Sequence, residues 1–298
     1  MSPTNLILQP GTLAQKVSEQ TTHALQCGAL QPIPTDYEFI EDNNIRFLIR
    51  ISSNLDRKDK AKKPETKDTN FNPFLPYEED LFVVDISDSH LCLLNKYNVM
   101  DNHILIVTRE FEEQESWLTL TDFEAMQACL AEIDGLVFYN SGKTAGASQR
   151  HKHLQLVPLP LIPEGESIPI NPAIAAATFE DDIGIASAFP FLHAIAKLTS
   201  ETAEATLESY FTLLGALDVT EKCDAYNLLA TRKWMLLVPR SREAFESISI
   251  NSLGFAGTFF VRNEKQFNLI KERGPITALT HVARSSIRES SVDDSLNF

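Results

Sequence analysis

Between Thr121 and Val157 the hydrophobic pattern changes from that of a helix to that of two strands, and this segment constrains the fold most. The tetrapeptide Thr121-Asp122-Phe123-Glu124 predicts a capping box, because Thr121 can accept from an unpaired helix N–H while Glu124 reaches back. Apolar residues then recur at helical spacing at Phe123, Met126, Leu130 and Ile133. Gly135 is placed to end this helix.

Two strand patterns follow, over residues 136–140 and 151–157, separated by a glycine-bearing loop over residues 140–149. So short a loop must double back, because parallel neighbours need a crossover of about a dozen residues or more. The two strands are therefore predicted to pair antiparallel, as in a hairpin. This pattern favours the α+β class, with antiparallel sheets flanked by helices.

The second half of the chain repeats this organisation. A helix around Leu207 and Leu214 precedes further strand patterns, and NHILIVTREF in the first half resembles RKWMLLVPRSREAF in the second. Strand patterns begin at Leu81, His90 and His103 in the first half and at Tyr226, Trp234, Ser247 and Gly257 in the second. We therefore predict two duplicated α+β halves.

The predicted division of the chain follows the proline-rich and polar segments. Residues 1–160 form the N-terminal half, 161–184 a proline-rich connector, 185–284 the C-terminal half and 285–298 a polar tail. Residues 11–28 predict an N-terminal helix that stops at Gly28. Residues 52–80 predict a polar loop that contains the basic run RKDKAKKPETK over residues 57–67.

Composition excludes several functional classes. The chain has 298 residues and a net charge of −15, which disfavours non-specific binding to nucleic acid or to an anionic membrane. No apolar run approaches the roughly 20 residues that cross a bilayer. No secretory signal is visible, and four widely spaced cysteines, Cys27, Cys92, Cys129 and Cys223, indicate reduced thiols in a cytoplasmic protein.

The motif His151-Lys152-His153-Leu154-Gln155 is the main candidate for chemistry. In a strand, His151, His153 and Gln155 would point to one face and Lys152 to the other. Three interpretations remain open from these residues alone. The histidines could be hydrogen-bonded core residues, two ligands of a zinc or iron site, or a nucleophilic imidazole with neighbours that orient it and hold phosphate.

The loop before this strand favours the third interpretation. Gly142 and Gly146, among small residues, would leave backbone N–H groups available to anionic oxygens. A plain glycine-containing hairpin turn is the alternative for the loop alone. We expect the remaining histidines to be structural or surface residues: His23, His90, His103, His193 and His281.

The segment NSGKTAGASQRHKHLQLVPLP resembles the active-site segment of the diadenosine tetraphosphate (Ap4A) phosphorylases, also called ATP adenylyltransferases. These enzymes belong to the galactose-1-phosphate-uridylyltransferase branch of the histidine-triad superfamily. The segments LLNKYNVMDNHILIVTREF, YNLLATRKWMLLVPRS and INSLGFAGTFFVRN resemble that family as well. The resemblance covers nearly the whole chain and implies a histidine-triad-like fold.

The resemblance also implies site roles at matching positions. It makes His153 the nucleophile that takes the adenylyl group, His151 a residue that orients it, and Gln155 a ligand of the transferred phosphate. The implied substrate-binding positions are Lys63, Asn95, Lys96, Asn140, Gly146, Ala147, Ser148, Gln149, Gln155, Asn251, Ser252, Leu253, Thr258 and Arg262. At Thr258 and Arg262 the sequence departs from the Met and Lys that related enzymes can carry.

The implied reaction is phosphorolysis of Ap4A to ADP and ATP through an adenylyl-histidine, with adenylyl sulfate as a further substrate. Expected partners are dinucleoside polyphosphate, phosphate, ATP and ADP, with a monomer favoured over an oligomer. No covalent cofactor and no protein metal site are expected, although a divalent cation such as Mg²⁺ would accompany substrate phosphates. The alternatives are a hexose-1-phosphate uridylyltransferase, disfavoured by the lack of a CxxC pair, and a non-catalytic nucleotide-binding protein.

Overall fold

Fifteen strands and seven helices form the part of the chain that the structure, a computed structural model, describes: residues 5–52, 72–221 and 224–285. The strands are β1 (Asp36–Asp42), β2 (Ile45–Ile51), β3 (Phe82–Asp85), β4 (His90–Leu94), β5 (Ile104–Thr108), β6 (Gly135–Asn140), β7 (His153–Pro158), β8 (Thr178–Glu180), β9 (Ile183–Ile185), β10 (Ala194–Lys197), β11 (Tyr226–Ala230), β12 (Trp234–Pro239), β13 (Ala244–Phe245), β14 (Ile248–Ser249) and β15 (Thr258–Val261). The helices are α1 (Leu13–Cys27), α2 (Leu120–Glu132), α3 (Asn171–Ala175), α4 (Ala203–Ala216), α5 (Ser252–Phe255), α6 (Glu264–Arg273) and α7 (Pro275–Val282).

Ten of these strands form one antiparallel sheet in the order β3-β4-β5-β7-β6-β11-β12-β10-β9-β8. Each half of the sheet comes from three strands, a helix and two further strands in sequence, with α2 in the first half and α4 in the second. The halves meet where β6 pairs antiparallel with β11, which places Asn140 opposite Asn227. The predicted duplication is therefore confirmed, and the two sets of five strands make one continuous sheet.

A smaller sheet lies apart from the large one. In it, β2 pairs antiparallel with β1 and parallel with β15. The β1–β2 hairpin is absent from the sequence prediction, although its turn is typical: Asn43 and Asn44 both adopt positive φ, at 48° and 62°. The small sheet forms one wall of the cavity described below.

The three predicted helices, α1, α2 and α4, agree with the prediction in position but not in every cap, and the other four helices are absent from the sequence prediction. Helix α1 ends at Gly28, which has a φ of 79°. Helix α2 begins earlier than expected, because Thr119 and not Thr121 is its N-cap. Asp122 accepts from the Thr119 backbone N–H at 2.7 Å, so the predicted box of Thr121 with Glu124 is wrong. The segment T-L-T-D-F-E offers both boxes, and the buried Asp122 also has partners on the strand beneath.

Apolar side chains pack on both faces of the large sheet. Val137 and Leu154 belong to the core under α1, α2 and α4, whereas Phe138 and Val157 belong to the core on the opposite face. Lys152, just before β7, contacts Asp122 of α2, whereas His153 begins β7 and by strand alternation points to the opposite side. Among the described residues, no helix is long and apolar enough to span a bilayer.

Candidate active site

A cavity of about 820 Å³ is lined by residues of β7, of the loop after β6 and of the small sheet. Its volume is within the range of small-molecule sites, about 300–1,000 Å³. Ten residues predicted from the resemblance line it: Asn95, Asn140, Gly146, Ala147, Ser148, Gln149, Gln155, Asn251, Leu253 and Arg262. Residues from both halves of the chain therefore meet at one site.

The other predicted residues lie around this cavity or outside the described chain. Ser252 and Thr258 are fully buried and do not line the cavity. Lys96 lies at the surface, where its Nζ donates to the Glu78 carboxylate at 2.5 and 2.8 Å. Lys63 and the rest of the basic run lie outside the described residues.

His153 is the first residue of β7 and is nearly buried. Its Nδ1 lies 2.8 Å from the carbonyl oxygen of His151, which can only accept. Nδ1 therefore carries the proton and donates, and the lone pair of the neutral ring lies on Nε2. This is the tautomer that a nucleophilic histidine needs.

His151 has polar neighbours at both of its ring nitrogens. Its Nε2 donates to the carbonyl oxygen of Thr108 at 2.7 Å, so its Nδ1 can accept from Asn72 Nδ2 at 3.0 Å. Burial lowers the pKa of His151, which keeps the ring uncharged near neutral pH. Phe74 packs edge-on against His151 and His153, with ring centroids 5.6 and 5.3 Å apart, and limits water at both imidazoles.

His103 is a cavity residue that the sequence interpretation treats as structural or surface. Its Nε2 lies 3.1 Å from Gln155 Oε1 and its Nδ1 lies 3.1 Å from Asn95 Nδ2. If His103 Nε2 donates to Gln155 Oε1, His103 Nδ1 accepts from Asn95. The Gln155 amide is then fixed in one orientation, and its NH₂ group remains as a donor. Leu105, two residues along the chain, pairs with Gln155 across β5 and β7, and this pairing brings His103 to Gln155 although no local sequence pattern indicates it.

The loop after β6 requires glycine at two positions. Gly142 and Gly146 have φ values of 78° and 91°, and a side chain at either would meet neighbours closer than 3.0 Å. The expectation of available backbone N–H groups is only partly right. Ala145, Gly146 and Ala147 donate back to Gly142 and Lys143 within the loop, so of the four predicted binding positions 146–149 only Ser148 and Gln149 keep a candidate backbone donor.

A buried network supports Asn140 from the second half of the chain. Asn140 Oδ1 accepts from Asn227 Nδ2 at 2.9 Å and from the backbone N–H and Oγ of Ser252 at 2.9 and 2.8 Å. These three donors fix the amide and leave its NH₂ group as a donor for a ligand. Arg240 in turn donates to Asn227 Oδ1 at 2.5 Å and to the Ala145 carbonyl at 3.2 Å, and burial lowers its pKa to about 9.

Gln114 joins β6 to β7 at the point where their backbone ladder ends. Its Oε1 accepts from the His153 backbone N–H at 2.9 Å, and its Nε2 donates to the carbonyls of Asn140 and His153 at 3.0 and 3.1 Å. The buried Gln114 amide thus fixes the distance between His153, the first residue of β7, and Asn140, the last residue of β6. Nothing in the local sequence around Gln114 indicates this role.

A buried ionic network lies directly behind the two histidines. Lys152 Nζ donates to Asp122 Oδ2 at 2.7 Å, to Glu112 Oε2 at 3.1 Å and to the Trp117 carbonyl at 3.1 Å. Asp122 Oδ1 lies 3.1 Å from His90 Nε2. Burial raises the pKa of Asp122, but the His90 hydrogen bond and the Lys152 charge outweigh it and hold the pKa at about 2.

The cavity wall mixes both signs of charge, although the protein is acidic. Lys143, Arg150 and Arg262 supply cations, and Glu113, Glu115 and Glu243 supply carboxylates. The ligating atoms of His23, Cys27 and Asp80 also lie within 4.8 Å of one another, but this exposed group is not part of the cavity wall.

Two family models match consecutive parts of the chain. The family model described as the Ap4A phosphorylase N-terminal domain matches residues 3–176, and that of the ATP adenylyltransferase C-terminal domain matches residues 187–285. Protein APA1 of Saccharomyces cerevisiae is 27% identical over 298 residues, covering 89% of this chain and 91% of that protein.

A further yeast sequence and a crystal structure are similar to this chain. Diadenosine tetraphosphate phosphorylase 2 of Saccharomyces cerevisiae is 27% identical over 296 residues, covering 87% of this chain and 90% of that protein. The crystal structure of yeast Ap4A phosphorylase Apa2 in complex with AMP has a TM-score of 0.79 at 25% identity, covering 95% of this chain and 100% of that one.

Proposed function

Because the chain belongs to the Ap4A phosphorylase family, we propose that it cleaves diadenosine tetraphosphate with inorganic phosphate to give ADP and ATP. The observation that carries the mechanism is the hydrogen bond from His153 Nδ1 to the His151 carbonyl. It leaves the lone pair of the neutral ring on Nε2, and Gln155, two residues further along the same strand, lines a cavity of nucleotide size.

In the first step, Nε2 of His153 attacks the α-phosphorus of one adenosine. A P–N bond forms, the bond from that phosphorus to the bridging oxygen breaks, and ATP leaves. ATP is already a stable anion, so its departure needs no strong general acid. The Gln155 amide, oriented by His103, donates to the charge that develops on the phosphoryl oxygens.

In the second step, inorganic phosphate attacks the adenylyl-histidine. A phosphate oxygen forms the new P–O bond, the P–N bond breaks, and ADP leaves with His153 restored. Phosphate arrives as an anion and needs no general base, so a residue that does not titrate is sufficient at position 155. Phe74 packs against the His153 ring and disfavours water as the competing nucleophile.

Binding of the substrate is assigned to the residues that line the cavity. Asn140, with Ser148 and Gln149, contacts the transferred nucleotide, and Asn251 and Leu253 contact it from the second half. Further substrate contacts are assigned to Lys63, Asn95, Lys96, Gly146, Ala147 and Arg262. Ser252 supports Asn140 and is not itself in the wall, and Thr258 contributes through its buried position on β15.

Conditions for the reaction follow from the same chemistry. A divalent cation such as Mg²⁺ would neutralise the substrate phosphates and would be bound through them. The cysteines at 27, 92 and 129 are free thiols, which supports a cytoplasmic enzyme. We place it there as a monomer.

The test is a nucleotide analysis with and without phosphate. Purified protein and Ap4A should yield equal amounts of ADP and ATP only when inorganic phosphate is present. AMP should form slowly when phosphate is omitted. Rapid release of AMP that does not depend on phosphate would place the protein among hydrolases and reject the proposal.

A further inference from the structure

A second recess, of about 390 Å³, adjoins the candidate active-site cavity. Ile33 and Val99 line both spaces, so a ligand longer than one nucleotide can extend from one into the other. The other residues that line the recess are Pro32, Pro34, Thr35, Arg50, Asn98 and Asp101. It therefore combines apolar walls with a cation and several hydrogen-bonding groups, the mixture that nucleotide sites require.

Arg50 is the cation of this recess. It lies on β2 in register with Phe260 of β15, so both side chains project from one face of the small sheet. Phe260 lines the main cavity, whereas Arg50 lines the recess. The small sheet thus forms a wall common to both spaces.

The guanidinium of Arg50 is half-buried and has few partners for a cation at that depth. Nη1 donates to Thr35 Oγ1 at 3.2 Å, and Nε is buried with no hydrogen-bond partner among the described residues. Burial lowers the pKa of Arg50, and the negative charge of Asp101 opposes that shift. Among the described residues, Arg50 forms no ion pair with Asp101. Such a cation is stabilised by an anionic ligand that accepts from its remaining N–H groups.

Asn98 provides a second, independent observation. Its side chain is about 95% buried, its Nδ2 donates to the Met100 carbonyl at 2.9 Å, and its Oδ1 has no partner among the described residues. Two residues of the recess wall therefore each carry a buried polar atom without a partner among the described residues, the donor Nε of Arg50 and the acceptor Oδ1 of Asn98. A nucleotide supplies both complements, because its phosphates accept and its base amine or ribose hydroxyls donate.

We propose that this recess binds the nucleoside triphosphate that leaves in the first step, with Arg50 donating to its phosphates and Asn98 accepting from its nucleoside. The proposal rests on the proposed function. The transferred nucleotide occupies the main cavity beside Gln155, so the rest of a dinucleoside tetraphosphate must extend away from it. Asp101 in the recess wall disfavours a bare phosphate ion and favours a ligand that also brings hydrogen-bond donors.

Two reactions of the same enzyme distinguish a defect in the recess from a defect in the catalytic centre. Phosphorolysis of Ap4A requires the triphosphate end, whereas exchange of labelled phosphate into ADP through adenylyl-His153 does not. Arg50→Gln should raise KM for Ap4A about ten- to hundredfold, the loss typical of one charge-assisted contact. The same variant should keep the KM for phosphate and the ADP exchange rate within about twofold of wild type.

Arg46→Gln is the matched control. Arg46 lies on the same strand and the same face as Arg50, but it packs over the Phe39 ring at 3.7 Å and does not line the recess. Its KM for Ap4A should not change. An equal loss for both arginine variants, an equal loss in both reactions, or no loss for Arg50→Gln would overturn the inference.

Failure of the proposed function has a different signature. Wild-type protein would then show neither phosphorolysis nor exchange of phosphate into ADP. Calorimetric titration with ATP alone still tests the recess in that case. Weaker ATP binding by Arg50→Gln than by Arg46→Gln would support it, and equal affinities would reject it.

Discussion

The ammonium group of Lys152 lies 2.7 Å from the carboxylate of Asp122, and neither side chain reaches solvent. Lys152 stands between the two histidines of the motif, and its backbone N–H donates to the Glu112 carbonyl at 2.8 Å. That N–H belongs to the same peptide group as the His151 carbonyl, which accepts from His153. The buried ion pair therefore holds the peptide that sets the tautomer of His153.

Removing this lysine should destabilise the protein strongly. Lys152→Met leaves the buried Asp122 carboxylate without its cation, and the free energy of unfolding should fall by about 3–5 kcal/mol. Arg150→Met is the control, because its ion pair with Glu113 is exposed and should be worth about 1 kcal/mol or less. Denaturant unfolding measures both. The double variant Lys152→Met/Asp122→Asn should regain part of the loss, and equal losses for Lys152→Met and Arg150→Met would contradict the role of the buried pair.

His153 should be indispensable for turnover. His153→Ala should lower kcat/KM by at least about 10³-fold, because no other group can form the covalent intermediate. Wild type given α-labelled Ap4A without phosphate should retain a label that is labile in acid and stable in base, and the variant should not. His151→Ala should reduce the rate less, and His23→Ala on the surface should not affect it. Near-normal turnover by His153→Ala would rule out the mechanism.

Much of this site follows from local sequence, and the rest depends on long-range pairing. The alternation of His151, His153 and Gln155 places their side chains on one face from the sequence alone. The contact of His103 with Gln155 depends on the register between β5 and β7, which lie about 50 residues apart. No local pattern specifies that register, so His103 has no visible role in the sequence.

The same limit applies to the contribution of the second half. Asn227 reaches Asn140 only because β6 and β11 pair at the centre of the sheet, and the repeat that predicts two halves does not predict their junction. The capping box was ambiguous for a related reason. Asp122 is selected over Glu124 by His90 and Lys152, which lie 32 and 30 residues away in the sequence.

His103 should act through Gln155. Gln155→Ala removes a donor to the phosphoryl group and should lower kcat by about 10²-fold, whereas His103→Ala only releases the amide and should cost about tenfold. If His103 positions Gln155, the double variant should be no slower than Gln155→Ala, with KM for Ap4A changed little in each. Single-turnover rates measure this cycle. Multiplicative losses would show that His103 acts independently of Gln155.

Acid should destabilise the protein through its buried neutral histidines. Burial lowers the pKa of His151 and of His193 from 6.5, so the unfolded chain takes up protons first as the pH falls. Their contribution to stability is complete above pH 6.5 and is lost as the pH falls toward the lowered values. Replacing either residue with Asn should flatten the dependence of Tm on pH below 6.5. Only His151→Asn should also slow turnover at pH 7.5, and unchanged slopes in both variants would refute this account.

Gly146 should be required for substrate binding because of its backbone. It has a φ of 91°, and a Cβ there would lie 2.9 Å from both Asn251 Cβ and the Ile250 carbonyl oxygen. Gly146→Ala should therefore displace the loop from Asn251 and raise KM for Ap4A, with a loss of stability of about 1–3 kcal/mol from the strained conformation. Gly215→Ala is the control, since it lies within α4 with nothing within 4 Å of the added carbon. That variant should gain about 0.5–1 kcal/mol in unfolding free energy and keep its KM. If Gly146→Ala bound Ap4A as tightly as Gly215→Ala, the loop would tolerate a side chain and its close approach to Asn251 would not govern binding.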